Sequence, residues 1–239
     1  MPARGGRAGD SGRTSPHPQF RGNVHTVKAD TVRGYQQRQR AQAADANTER
    51  ILEAGAEMFA ARSIDQITLA AVAERAGVGV QTVIRRVGTK DGLIRAVGAW
   101  LAPQIEATRG APTTSDPAAV AARIAQQYER WGMVTDRAIR ERDASPALAE
   151  VADAGRRSHR DWTATAFAAA LDRQPPARRH DLLGRLAAVC GVELWLVLRR
   201  DQGLSVAAAQ AAVADLIAAC LAAAASPTAS TDGAPAATF

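Results

Sequence analysis

Apolar residues recur at helical spacing from about residue 48 to residue 224. In the first predicted helix, Leu52 and Phe59 share one face, and Asn47 is a candidate N-cap. The first four helices are predicted over 48–62, 68–76, 79–88 and 90–102. Thr89 is the expected cap of the fourth, and Pro103 is expected to end or kink it.

Proline and glycine divide the rest of the pattern. Asp116-Pro117 and Ser145-Pro146 each place a capping residue before a proline, which is a specific helix-start signal. The helices predicted after them run over 117–133, 146–171, 177–200 and 206–224. Gly203 is expected to supply a left-handed C-cap and Ser205 to cap the last helix. Eight or nine helices without an internal repeat are expected.

About a quarter of the chain is alanine, the best helix former, and only 4% is aromatic. An all-α protein is therefore predicted, and Rossmann-type and hydrolase folds are disfavoured. Four segments are expected: a disordered basic tail (1–45), a helix-turn-helix domain (46–97), a helical domain (98–225) and a second disordered tail (226–239). The tails are assigned because they lack apolar periodicity.

The chain has 30 basic and 24 acidic residues, and all the basic ones except Lys28 and Lys90 are arginine. Eight basic and three acidic residues fall within 1–45, so this segment carries +5 of the formal charge of +6. Arginine suits contacts with phosphates and base edges, because its planar fork donates hydrogen bonds in pairs. A genome-wide codon bias towards arginine and alanine explains the composition equally well.

Catalytic and metal-binding patterns are missing from the sequence. Cys190 and Cys220 stand in apolar surroundings without metal-ligand spacing, and no phosphate loop or catalytic triad pattern occurs. We therefore expect a non-enzymatic protein without metal or cofactor. No signal peptide is recognised. The longest apolar run, 216–225, is half the ~20 residues of a membrane helix, which predicts a soluble cytoplasmic protein with no membrane partner.

Residues 69–88, LAAVAERAGVGVQTVIRRVG, meet the requirements of a helix-turn-helix. Ala73 is the small residue where the helices touch, and Gly77 can take the positive φ of the turn. Apolar residues for the inner faces follow at the right offsets: Leu69, Val72, Val78 and Val83. An accidental helical hairpin is the less favoured alternative.

With this framework, residues 50–97 resemble the N-terminal domain of the TetR family of transcriptional regulators. The matching residues are Ile51, Leu52, Ala54, Phe59, Thr68, Val72, Ala73, Ala76, Gly77, Val78, Thr82, Val83, Lys90 and Leu93. Ile84 stands where the family has a tyrosine that contacts phosphate, and Arg86 where it has histidine or tyrosine. Val87 replaces phenylalanine, and Ser63 replaces glycine.

The candidate DNA-binding residues surround the third predicted helix. They are Thr68, Gly79, Val80, Gln81, Thr82, Ile84, Arg85, Arg86 and Lys90. Gln81 can pair with adenine, the arginines with guanine or phosphate, and Val80 with a thymine methyl group. The Thr68 and Thr82 hydroxyls lie near helix N-termini, where phosphates bind. An ordinary solvated face is the alternative for Arg85 and Arg86.

The resemblance implies that the remaining helices form a ligand cavity and a dimer interface. The candidate ligand-binding residues are large and otherwise scarce: Trp100, Tyr128, Trp131, Met133, Trp162, Phe167 and Trp195. Plain core packing is the alternative for each of them. Polar candidates nearby are Gln126, Gln127, Arg130, His159 and Glu193. Wide apolar stripes over 182–196 and 213–221 suit a four-helix interface between two copies, or an internal core.

Together these observations predict a dimeric repressor that binds a palindromic operator in double-stranded DNA and is released by a small apolar or aromatic effector. The alternative is a helical ligand-binding or redox-sensing protein whose DNA binding has weakened, because Ile84 lacks the hydroxyl of the family tyrosine.

Overall fold

The computed structural model describes residues 24–226, whose regular structure is entirely helical, so the all-α class is confirmed. Ten α-helices occur among these residues: α1 (Val24–Ala61), α2 (Leu69–Ala76), α3 (Val80–Val87), α4 (Lys90–Arg109), α5 (Pro117–Arg140), α6 (Pro146–Ala166), α7 (Ala168–Leu171), α8 (Pro176–Val189), α9 (Val192–Leu196) and α10 (Val206–Ala225). Short 3₁₀ helices cover Ile64–Gln66 and Arg142–Ala144, and a π-helical turn covers Val197–Asp201.

Side-chain caps begin most of the longer helices where they were expected. The hydroxyl or carboxylate oxygens of Thr89, Asp116, Ser145 and Ser205 each accept the N–H three residues on, at 2.9–3.2 Å. Each bond satisfies a backbone donor that the helix itself cannot satisfy. Gly203 has the left-handed φ of +65°.

The first helix is much longer than predicted, and the expectation of a disordered tail up to residue 45 is wrong for residues 24–45, which are helical. Residues 35–47 contain neither glycine nor proline and are rich in glutamine, arginine and alanine, which favour helix without any apolar periodicity. Asn47 is therefore not an N-cap. The expected tails otherwise lie outside the described residues, over 1–23 and 227–239.

Other boundaries also differ from expectation: α5 continues to Arg140 instead of ending at residue 133, and the helix predicted over 146–171 is divided at Phe167 into α6 and α7. Helix α4 continues through Pro103 to Arg109, although proline removes one helical N–H at a cost of about 3 kcal/mol. Leu101 and Ile105, on either side of the proline, pack into the same core and offset that cost. The helix predicted over 177–200 is divided at Cys190 and Gly191 into α8 and α9.

Packing contacts divide the chain after Ala44, and both hydrophobic cores lie in the unit that begins at Asp45. The first core joins the end of α1 to α2, α3, α4 and the start of α6. The second joins α5, the end of α6 and α7–α10. Helix α4 packs on both α5 and α6 and so connects the helix-turn-helix to the rest of this unit.

Within residues 24–226, α10 alone is long and apolar enough to cross a membrane, judged by length and composition only. Its Ala209, Val213 and Ile217 side chains lie in the second core. Part of its apolar character is thereby accounted for by packing inside the protein.

Candidate nucleic-acid interface and ligand cavity

Helices α2 and α3 form the helix-turn-helix. The Thr68 hydroxyl accepts the N–H of Ala71 at 3.1 Å and caps α2. Gly77 ends α2 with a φ of +64°, a conformation that costs residues with a Cβ more than glycine. The Val78 N–H bonds to the Ala73 carbonyl at 3.0 Å, which closes the turn and directs the chain into α3.

Helix α3 has one buried side and one exposed side. Val83 is fully buried in the first core, whereas Val80 and Ile84 are 39% and 40% exposed. Gln81, Arg85 and Arg86 are exposed beside them. Within the described part of the chain, Arg85 and Arg86 form no ion pair, so their donors are available to an external acceptor.

The structure brings the remaining predicted DNA contacts to the margins of this surface. Thr68 and Gly79 are exposed at the starts of α2 and α3, and Thr82 is half-buried. Lys90 begins α4, and its Nζ donates to the Asp65 carbonyl at 3.4 Å. The resulting surface offers hydroxyl, amide, methyl and guanidinium groups together, which are the groups that contact base edges and phosphates.

A cavity of about 870 Å³ lies between α4, α5, α6 and the α8–α9 junction. Phe59 and Ile64 from the helix-turn-helix domain also line it. Along α4 its lining runs from Ile94 to Arg109, a separation of about 22 Å at 1.5 Å per residue. The volume and the mainly apolar wall are typical of small-molecule sites.

Of the seven large residues predicted to bind a ligand, the structure brings only Tyr128 to this cavity. Trp100 and Trp131 pack at the edge of the first core, and Trp162, Phe167 and Trp195 belong to the second core. Met133 is half-buried and away from the wall. Because alanine side chains are small, the few large side chains of this chain are needed to fill the space between its helices. They therefore pack in or against the two cores.

Three of the polar candidates do line the cavity: Gln127, His159 and Glu193. The Nε2 of His159 donates to the Ala187 carbonyl at 2.9 Å, and burial lowers the pKa of this histidine, so its ring is neutral near pH 7. The Tyr128 hydroxyl donates to the Cys190 carbonyl at 3.1 Å, and burial raises the pKa of the phenol.

Sequence reasoning missed Arg109, which ends α4 at the cavity wall. Arg109 was not placed on this helix in the sequence analysis, because Pro103, six residues earlier, was expected to end or kink it. The guanidinium is almost completely buried and lies 4.9 Å from the Trp162 ring. Burial lowers the pKa of Arg109.

One hydrogen bond joins the segment before α2 to the residue that follows α5. The Ile64 N–H donates to Glu141 Oε2 at 2.7 Å, and Arg137 pairs with Glu141 Oε1 at 2.8 Å. All three residues also line the cavity. The helix-turn-helix domain and the end of α5 therefore meet at the cavity wall.

Two observations on the described residues concern metal ligands and the Cys190 thiol. No cluster of three potential metal ligands occurs among them. Cys190 is fully buried, and burial raises the pKa of its thiol to about 12, so it stays protonated near pH 7. A reactive thiolate at Cys190 is therefore disfavoured.

Comparison with known families and structures agrees with this geometry. Residues 51–97 match the family model of bacterial regulatory proteins, tetR family. A TetR-family transcriptional regulator from Streptomyces coelicolor is similar over 75% of this chain and 82% of its own, at 20% identity and a TM-score of 0.54.

Two other solved structures are similar at lower scores. A TetR transcriptional regulator from Rhodococcus sp. RHA1 is 22% identical over 74% of this chain and 96% of its own, with a TM-score of 0.44. The multidrug binding protein EbrR, complexed with imidazole, is 19% identical over 70% of this chain and 88% of its own, with a TM-score of 0.46. No curated protein matches the sequence. Residues 51–97 therefore match the TetR-family helix-turn-helix domain, and the helical fold of the chain is similar to that of the Streptomyces coelicolor regulator.

Proposed function

We propose that this protein is a cytoplasmic, ligand-responsive repressor that binds a palindromic operator through α3 and leaves it when a small molecule enters the cavity. The single observation that carries the proposal is the cavity lining, which includes Phe59 and Ile64 of the helix-turn-helix domain. A small molecule in the cavity would contact the helix-turn-helix domain and the C-terminal helices at the same time.

The Glu141–Ile64 hydrogen bond supports the same coupling. It ties the short helix before α2 to the end of α5, across the wall that a ligand would press on. A ligand that binds the released form more tightly than the DNA-bound form shifts the equilibrium towards release. Typical coupling free energies are about 1–3 kcal/mol.

Gel-shift binding of the full-length protein to the DNA upstream of its own gene tests the proposal. A retarded complex that resists unrelated competitor DNA is expected. Sequence-independent binding alone would contradict the proposal and favour a helical ligand-binding protein with weakened DNA recognition.

Gln81→Ala and Arg86→Ala are expected to affect DNA binding differently. Gln81 should discriminate one base pair, at about 1–3 kcal/mol. Arg86 should contact phosphate, so its loss should weaken binding to all DNA sequences alike. It should also reduce the slope of log affinity against log salt concentration by about one. Titrations of matched and mutated operators at several salt concentrations measure both effects. Equal loss of discrimination in the two variants would contradict these roles.

We further propose that two copies pair through α8 and α10. Asp215 is the one charged residue in α10, and Leu216 is 41% exposed next to it. An exposed helical face of alanine and leucine suits close packing against a second copy. Two copies would place two α3 helices about one DNA turn apart, ~34–36 Å, as a palindromic operator requires.

Leu216→Glu is expected to turn the dimer into a monomer, because a carboxylate buried against the partner's apolar face has no counter-charge. Light scattering after size-exclusion chromatography measures the mass. Asp215→Asn is the matched control at the neighbouring position and should leave the mass unchanged. An unchanged dimer in Leu216→Glu would show that the interface lies elsewhere.

A further inference from the structure

Arg109 lies between the cavity and the protein surface. It lines the cavity and also a more open hollow of about 530 Å³, and Glu106 and Ser158 are shared by both linings. Only 4% of the Arg109 surface is exposed. The three residues therefore form a thin wall between the interior and an opening to solvent.

The charge of Arg109 is poorly compensated. Its Nη2 donates to the Ser158 hydroxyl at 3.3 Å, its Nε is buried without a partner, and its ring contact is Trp162. Among the described residues no carboxylate lies within ion-pair distance of Arg109; the nearby Glu106 carboxylate interacts with its charge without forming an ion pair and accepts a hydrogen bond from the Ser158 hydroxyl at 3.3 Å. A buried guanidinium in this state is costly unless a further acceptor binds it.

The other charges at the wall are largely neutralised by one another. Glu141 pairs with Arg137, Glu150 with Arg95, and Glu193 with Arg156. Arg160 and Arg62 also line the cavity, so the balance of the wall is positive. This distribution favours an anion over a cation.

Between Arg109 and the start of α4 the wall is mainly apolar, through Ile105, Leu101, Val97 and Ile94. Leu148 adds to it from α6. The charged exceptions on α4 are Glu106, next to Arg109, and Arg95, which pairs with Glu150. A ligand that places a charged group at Arg109 would therefore direct an apolar body towards the helix-turn-helix domain.

We propose that the cavity binds an amphipathic monoanion, with an acid group at Arg109 and an apolar chain or ring system extending along α4 towards Ile94. This inference rests on the proposed function in treating the cavity as the effector site. The acid group would supply the hydrogen-bond acceptor that Arg109 lacks, and burial of the apolar body would contribute favourable binding free energy.

Calorimetric titration of the full-length protein with decanoate, 1-decanol and decyltrimethylammonium tests the charge preference. Decanoate should bind about 10- to 100-fold more tightly than 1-decanol, as a hydrogen bond to a buried charge predicts. Arg109→Gln should remove this difference and leave 1-decanol binding unchanged. Arg160→Gln removes one positive charge of the same wall but leaves the Arg109 guanidinium in place, so this matched control should lose much less of the preference than Arg109→Gln.

Several outcomes would overturn the assignment: equal binding of decanoate and 1-decanol, tighter binding of the cation, no binding of any probe, or equal losses in Arg109→Gln and Arg160→Gln. Should Arg109→Gln unfold, Arg109→Lys takes its place, and it should weaken decanoate more than 1-decanol. The titration contains no DNA. Failure of the charge preference is thus distinguishable from failure of DNA release, which a gel shift with added decanoate reports.

Discussion

Gly92→Ala is expected to destabilise the protein by more than about 2 kcal/mol and to abolish operator binding. A Cβ at this position would clash with the carbonyl oxygen of Val87, the last residue of α3. That oxygen already accepts the Thr89 N–H at 2.8 Å, so the backbone on both sides must move. Because the clash is with backbone, no side-chain rotation relieves it, and the orientation of α3 changes.

Urea unfolding and gel-shift titration measure the two effects. Gly155→Ala and Gly184→Ala are matched controls, since each lies inside a helix with open space where the Cβ would be. Both should stabilise the protein by about 0.5–1 kcal/mol through helix propensity alone. A Gly92→Ala protein that behaves like these controls would contradict the close approach of α3 and α4.

Phe167→Ala is expected to lower the free energy of unfolding by about 3–5 kcal/mol. The Phe167 side chain is fully buried in the second core at the junction of α6 and α7, so its removal leaves a void among packed residues. This expectation replaces a selective role in ligand binding, because Phe167 does not line the cavity.

Urea unfolding followed by circular dichroism measures the loss. Val197→Ala, at a side chain that is 42% exposed, is the control and should change stability by less than about 0.5 kcal/mol. Normal stability of Phe167→Ala combined with a reduced ligand response would restore the role inferred from sequence.

Local signals in the sequence correctly predicted the helix-turn-helix and the starts of several later helices. The turn at Gly77, the buried Val83 and the caps at Thr89, Asp116, Ser145 and Ser205 depend on interactions within a few residues. Such interactions can be recognised from residue type and spacing alone. The exposed face of α3 follows from the same helical periodicity.

Helix boundaries that depend on distant packing were predicted less well. Pro103 is a local stop signal, but contacts of Leu101 and Ile105 with other helices override it. Residues 35–45 carry no apolar pattern, yet their glutamine, arginine and alanine residues favour helix by intrinsic propensity. Hydrophobic periodicity measures neither of these contributions: tertiary packing in the first case and intrinsic helix propensity in the second.

By itself the sequence determined that the chain is all-α, that residues 51–97 hold a TetR-family helix-turn-helix, and which side of α3 faces outward. Only the tertiary structure decided which side chains fill the cores and which line the cavity. Tyr128 and Phe167 are both large aromatic residues of the second core, yet only Tyr128 also lines the cavity. The physical reason is that a cavity is the space left between helices, so its lining depends on how α4, α5 and α6 are placed and not on the character of any one residue.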